Sequence, residues 1–298
     1  MTIGIPRAMY YYLEPKWLDF FKYLNIDVLL SPKTNNKIIK EGSDIANDEV
    51  CLSMKIFMGH VKYLIDKCDY LFLPRIDNYG LYNQMCANYS GLYDIVKNQF
   101  NINILDCNID YKNKKNEYKA FLEIGKKLKI NKKNIKKAYE YCLVINNKKI
   151  KKNHIDSYNK LKSNKTKILV VSHPYNIFDD FIGKPITNYL NTNNCEVILS
   201  CNFDNNITNK LSNKMCSGLY FKCSKDNIGA IDFALPHIDG IVFITTFPCG
   251  LDSLVNEIVI RKLKKPYLNL IIDEINNNTG IETRLESFID IVKGVKNV

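Results

Sequence analysis

The sequence predicts an α/β protein of two similar lobes with parallel sheets, joined by a lysine-rich helical connector. Three observations predict it. Short apolar strands alternate with amphipathic helices through the first and last thirds of the chain, the rhythm of βαβ units covered by helices on both faces. The two thirds read as copies: Ile3–Pro6 followed by Val28–Ser31 parallels Ile168–Pro174 followed by Val197–Ser200, and Leu71–Pro74 with Cys86 parallels Val242–Thr245 with Cys249. Between them, residues 113–164 carry no proline and one glycine, with Lys, Asn and Glu at helical spacing. The expected boundaries are 1–112 and 165–298 for the lobes and 113–164 for the connector. A chain of 298 residues is long enough for two modest cores.

The elements follow in order. Ile3–Pro6 reads as a strand, Tyr12–Leu24 as a helix with apolar Leu13, Trp17, Phe20 and Phe21, and Asp27–Ser31 as a strand. Asp48 reads as the N-cap of a helix reaching about Lys67, with Cys51 in its first turn. Tyr70–Pro74 is a buried strand, Gly91–Phe100 a helix after a polar loop holding Cys86, and Ile102–Cys107 a strand. The connector forms two or three helices with apolar faces supplied by Phe121, Leu122, Ile124, Leu128 and Tyr139. Then come strand Lys167–Ser172, helix Phe178–Asn191, strand Glu196–Ser200 and a helix over 224–235. Strand Gly240–Phe247, helix Leu251–Leu263, strand Tyr267–Asp273 and helix Glu282–Val292 complete the chain. Two lobes of this kind would place a ligand at the carboxyl ends of the strands, in a cleft between them.

Composition narrows the functional classes. The net charge of +11 is local: residues 111–167 hold 19 lysines against four acids, and the remainder is slightly acidic. Lysine diluted with Asn and Ile suits a solvated helix face or a docking surface for an acidic partner, not arginine-based phosphate recognition, so no nucleic acid is expected. No apolar run reaches the ~20 residues of a membrane span and the start lacks a signal-peptide pattern, so no membrane and a cytoplasmic setting are expected. Thiols stay reduced there, which makes disulfides the wrong default for the ten cysteines.

Most of those cysteines read as small buried hydrophobes. Position alone does not separate them, because Cys107 and Cys201 also follow strands. Local setting does. Cys51 lies at a helix start, where backbone N–H groups favour a thiolate. Cys249 precedes a helix and is flanked by Pro248 and Gly250, which suit a tight exposed turn. Cys86 sits in a loop shortly before the Gly91 helix. Three thiolates suit a [4Fe–4S] cluster with one open iron. A zinc site completed by His60 or His173, or no metal at all, stays open beside it. There is neither G-x-G-x-x-G nor G-x-x-x-x-G-K-[ST], so dinucleotide and P-loop readings lack support. His173 after a strand is a candidate hydrogen-bond donor or a turn residue. Asp273-Glu274 is a candidate proton holder or a solvated strand end.

At these residues the chain resembles the 2-hydroxyacyl-CoA dehydratase and benzoyl-CoA reductase type of iron–sulfur protein, and within it the acyl-CoA dehydratase activase-related branch. The matching stretches are Ile3–Arg7, Asp48–Cys51, Gly59–Val61, Leu73–Arg75, Ser172–Asn176, Phe247–Ser253, and Thr279-Gly280 with Arg284. The resemblance implies two flavodoxin-like (Rossmann-like) lobes and a [4Fe–4S] cluster, or a larger one if two chains pool ligands in a homo- or heterodimer. It implies ligation by Cys51, Cys86 and Cys249. It also implies low-potential electrons from a separate ATP-dependent activase, and reductive or dehydrating action on a small acyl-CoA; a non-catalytic electron-transfer or activase-binding protein is the alternative. Two departures stand out. Ile275-Asn276-Asn277 follows Asp273-Glu274 where the branch tends to carry a histidine, and Ala87 rather than proline follows Cys86.

Overall fold

The structure, a computed structural model, describes residues 1–275 and 278–296, so Asn276 and Asn277 of the first departure lie outside the described residues. The chain divides into two compact units, Met1–Lys149 with Tyr220–Lys222, and Ile150–Leu219 with Cys223–Val298.

The first unit opens with β1 (Thr2–Ile5), whose Ile3 and Ile5 are buried. The helix expected over Tyr12–Leu24 is two helices, α1 (Tyr10–Leu13) and α2 (Lys16–Tyr23). Pro15 breaks it: proline has no N–H to continue α1 and drives Glu14 out of the helical region, to φ −129° and ψ 65°. After β2 (Asp27–Leu30) comes α3 (Asn36–Ile45), which the sequence reading passed over. Asn35 caps it, its side-chain oxygen accepting from the N–H groups of Lys37 and Ile38 at 3.0 and 3.1 Å. Helix α4 (Leu52–Leu64) starts later than expected, because Asn47 holds residues 47–50 in a turn through the N–H groups of Glu49 and Val50.

There follow β3 (Tyr70–Phe72), β4 (Arg75–Asn78), α5 (Ala87–Ser90), α6 (Leu92–Gln99), β5 (Ile104–Leu105) and β6 (Asn108–Asp110). Four strands form a parallel sheet in the order β2-β1-β3-β5, and β4 pairs with β6 in a separate parallel ribbon. Gln84 joins this region to Tyr220–Lys222, donating its N–H to Tyr220 O at 2.9 Å and accepting from Lys222 N–H at 3.0 Å.

The connector contains α7 (Glu117–Lys127) and α8 (Lys132–Leu161). Two contacts fasten α7 to the first unit. Phe121 stacks on Trp17 with centroids 3.8 Å apart and rings 7° from parallel. Lys16 sits between Glu14, at 3.0 Å, and Glu117. Tyr79 donates to Glu14 and Tyr139 to Glu117, so both carboxylates are further satisfied. Burial would lower the Lys16 pKa, but the two carboxylates overcome it and hold the ammonium protonated, well above the lysine range.

The second unit contains β7 (Thr166–Val171), α9 (Pro174–Ile177), α10 (Gly183–Thr192), β8 (Cys195–Leu199), α11 (Asn205–Met215), α12 (Lys222–Ala234), β9 (Gly240–Thr246), α13 (Gly250–Ile260), β10 (Tyr267–Ile272) and α14 (Asn278–Lys296). The helix expected over Phe178–Asn191 starts later, as α10, because Asp179 accepts from the N–H groups of Phe181 and Ile182 and holds that stretch in a turn. The sheet order is β8-β7-β9-β10, all parallel, with every residue of β9 buried. Counted within each four-stranded sheet, both run 2-1-3-4, the order of a doubly wound flavodoxin-like fold. The fold class is therefore the expected one, and the repeat holds at the level of topology. Among the described residues no helix is long and apolar enough to cross a membrane.

The repeat extends to one packing device. A Cβ on Gly59 of α4 would lie 1.9 Å from Ile38 O of α3, and a Cβ on Gly229 of α12 would lie 1.8 Å from Thr208 O of α11. In each unit a glycine lets the helix before the third strand lie against its neighbour's backbone. Replacing Gly59 by Ala is expected to cost about 2 kcal/mol or more, because backbone must move. The same change at Gly294, in open space on α14, should stabilise by about 0.5 kcal/mol. Urea unfolding of the two variants checks both signs.

Candidate functional site

In a parallel sheet all strands end at one edge, and each returning helix begins there. Helix α4 has 13 residues, a length of about 20 Å, and leads into β3, so its N-terminus stands at the carboxyl edge of its own sheet. The N-cap of α4 is Cys51, with φ −67° and ψ 155°. Cys86 is the N-cap of α5, with φ −67° and ψ 158°. Cys249 is the N-cap of α13, with φ −70° and ψ 91°. All three are partly buried, and in none does the sulfur take the capping role that Ser, Thr, Asn or Asp plays at this position.

The other seven cysteines occupy different positions. Cys195 starts β8, Cys142 and Cys223 lie inside α8 and α12, Cys216 ends α11, and Cys68, Cys107 and Cys201 stand between regular α and β elements. Cys51, expected in a first turn, proves to be the residue just before the helix. Cys86 gains a short helix of its own before α6. Cys51 and Cys86 belong to the first unit and Cys249 to the second. Among the described residues no three His, Cys, Asp or Glu side chains are grouped to hold a metal ion.

Backbone pairing holds the Cys86 segment on both sides. Gln84 pairs with Tyr220 and Lys222, and Met85 N–H donates to Asp77 O at 3.0 Å. The carbonyl of Cys86 accepts from Tyr89 and Ser90 at 3.1 and 3.0 Å.

The second unit assembles a polar cluster around His173, the N-cap of α9. Its Nε2 lies 2.8 Å from Asp252 Oδ2. The ring stacks on Tyr175, with centroids 4.8 Å apart and planes 10° from parallel. Cys223 stands close enough to the imidazole, and Cys249 to the Asp252 carboxyl, to shift their pKa values. Burial would lower the His173 pKa, but the Asp252 carboxylate and then Cys223 raise it well above the usual histidine value. Burial would likewise raise the Asp252 carboxyl, and His173 brings it below the usual carboxylate range. The result is an imidazolium–carboxylate pair within reach of one of the three cysteines.

Sequence reasoning singled out His173 and passed over Asp252 except as part of a matching stretch. The signal was Asp252 standing three residues after Cys249, the position of the acid in a capping box. His60 is fully buried on α4 and lies 3.0 Å from the Thr34 hydroxyl, which ties the β2–α3 loop to the helix. Asp273 accepts from Ile275 N–H at 2.9 Å, a turn at the end of β10.

Two doubly wound sheets, with a cysteine leading into a helix after the third strand of each, define the class of protein. A family model described as a CoA enzyme activase uncharacterised domain (DUF2229) matches residues 2–202, about two thirds of the chain. The protein belongs to this family, and its kinship is with CoA enzyme activases. The match includes Cys51, Cys86 and His173 and ends before Cys249 and Asp252. A comparison with curated proteins gave no match.

The His173–Asp252 pair has a pH signature. The folded pKa of His173 is raised, so its contribution to stability is full below the unfolded value of about 6.5. It declines above that and is lost once the pH passes the raised folded value. The stability difference between the wild-type protein and His173→Gln is therefore expected to be largest at pH 5–6 and to shrink by pH 9. Urea titrations across that range measure it.

Proposed function

We propose that the protein is an iron–sulfur member of the activase-related group, in which Cys51, Cys86 and Cys249 ligate a [4Fe–4S] cluster, or a larger one if two chains pool ligands. Its electrons would come from a separate ATP-dependent activase. One observation carries this reading: these three cysteines alone among the ten are N-cap residues, each in extended backbone before a helix. The donor set fits the group. Thiolates are the usual ligands of such clusters, and the first-turn N–H groups of α4 and α13 offset negative charge beside Cys51 and Cys249. When bound, the cluster would supply one-electron chemistry and, at an iron without a protein ligand, a Lewis acid for a thioester oxygen.

The chain's own residues would hold the sulfurs and exclude water from them. Action on a small acyl-CoA is the far end of the reading, and no residue of the chain is assigned to it. A docking role for the connector supports the partner part. Lys148, Lys149, Lys151 and Lys152 of α8 are all exposed, a concentration of charge suited to an acidic partner.

Purification without oxygen, with iron and acid-labile sulfide measured per chain, tests the cluster. About four of each are expected, lost when Cys51, Cys86 or Cys249 is changed to Ser. Neither iron nor sulfide after reconstitution would leave a protein without this cofactor, and stoichiometric zinc would replace the reading. Association with an activase should weaken several-fold between low and high salt, because exposed charges are screened. Affinity independent of salt would remove the connector from the interface.

A further inference from the structure

We propose that Arg7 binds an oxyanion, the phosphate or carboxylate group of a ligand, at the carboxyl edge of the first unit's sheet. This role lies outside the cluster reading and does not depend on it.

Arg7 follows β1 and closes the stretch Ile3–Arg7, to which the cluster gives no task. In the order β2-β1-β3-β5 the chain leaves β1 for β2 on one side and later returns to β3 on the other. Doubly wound sheets of this order bind ligands at that switch, just outside the carboxyl ends of the strands. The loop after β1 is fastened toward both neighbours. Toward β2, Arg7 N–H donates to Ser31 Oγ at 2.8 Å and Arg7 Nε–H to Ser31 O at 3.1 Å. Toward β3, the Tyr10 hydroxyl donates to Phe72 O. Ser31 and Tyr10 are buried, which shields these bonds from water.

Between the anchors the backbone is strained. Met9 has φ 49° and ψ −110°, a combination costly for any residue but glycine, and it is buried there. Strain of this kind persists only where the surroundings impose it, and it concentrates at ligand-binding loops. The loop Pro6–Met9 has one charged side chain, Arg7.

The guanidinium is fixed in place without being neutralised. Of the four arginines, Arg75 pairs with Asp94, Arg261 pairs with Glu257 at 3.0 Å, and Arg284 is exposed to water. Arg7 is half-buried, and among the described residues no carboxylate forms an ion pair with it. Its guanidinium carbon stands 5.9 Å from the Tyr11 ring centroid, so an aromatic face supports the cation. With Nε committed to Ser31, the two terminal nitrogens remain as a fork, which can take two oxygens of one carboxylate or phosphate. Partial burial disfavours a cation that lacks an anion, and a bound oxyanion relieves this. The second copy shows the contrast at the same position, where His173 lies 2.8 Å from Asp252. One copy supplies the anion from its own chain, and the other takes it from a ligand.

Isothermal titration of the full metal-free chain in Hepes at low ionic strength tests this, with inorganic phosphate, acetate and free CoA as probes. The wild-type chain should bind at least one. Phosphate tighter than acetate assigns a phosphate group, the reverse assigns a carboxylate, and CoA tighter than inorganic phosphate makes the coenzyme its source. Arg7→Gln should weaken the bound probe about 10-fold or more, and Arg7→Lys nearly as much, because an ammonium cannot hold Ser31 O and also offer a fork. Arg261→Gln removes the same charge from the exposed surface and should change affinity by less than about 2-fold. A wild-type chain that binds none of the probes overturns the proposal. So does affinity unchanged in Arg7→Gln, or an equal loss in Arg261→Gln.

A second measurement needs no variant to fold. Phenylglyoxal modification of the wild-type arginines is followed residue by residue by peptide mass spectrometry. With the bound probe at about ten times its dissociation constant, Arg7 should react about 10-fold slower and Arg261 at an unchanged rate. Arg7 left unprotected, or both protected alike, overturns the assignment. Neither measurement involves iron, so failure of the cluster reading and failure of this one are told apart.

Discussion

One largely buried ammonium organises the first unit. Lys16 opens α2 directly after the proline that ends α1, and its charge is shared by Glu14 and Glu117. Glu14 also accepts from Tyr79, on the turn that leads to Cys86, and Glu117 opens α7. A charge this deep is tolerable only with its partners in place, so the position of each follows from the others. The Trp17–Phe121 stack lies one residue from Lys16 and supplies the apolar half of the same junction. The start of α2, the approach to Cys86 and the start of the connector are thus set by one arrangement.

The two units solve the same packing problem with different residues. Each has a 2-1-3-4 parallel sheet, a glycine that admits a close helix pair before the third strand, and a cysteine N-cap after it. A serine follows the second strand in each. Ser31 Oγ accepts from Arg7 N–H at 2.8 Å, and Ser200 Oγ lies 3.5 Å from Ser172 O. The position after the first strand has diverged, carrying Arg7 in one copy and His173 in the other. In the second copy a carboxylate, Asp252, stands near the cysteine.

The alternation, the repeat and the helical connector were legible because apolar spacing reports on burial directly. Helices α3 and α11 were not, because their Lys- and Asn-rich stretches show short apolar faces. Their caps, Asn35 and Asp204, were the readable marks. Helix starts were misjudged where a side chain competes for the backbone, as Asn47 does before Cys51 and Asp179 does before α10. The three cysteines could be named from their surroundings, but that each is an N-cap depends on helix ends within one residue. The His173–Asp252 contact joins residues 79 apart that follow adjacent strands. No local pattern announces such a pair, since it follows from which strands become neighbours.

The strap at Tyr220–Lys222 bears on how the protein is made. Gln84 finds both backbone partners there, roughly 140 residues further along the chain. A ribosome adding about 5–20 residues per second needs on the order of 10 s to cover that interval. During that time the rest of the first unit can form while the segment leading to Cys86 lacks its partner strand. The pairing two residues before Cys86 therefore waits until Ile150–Leu219 of the second unit has been translated.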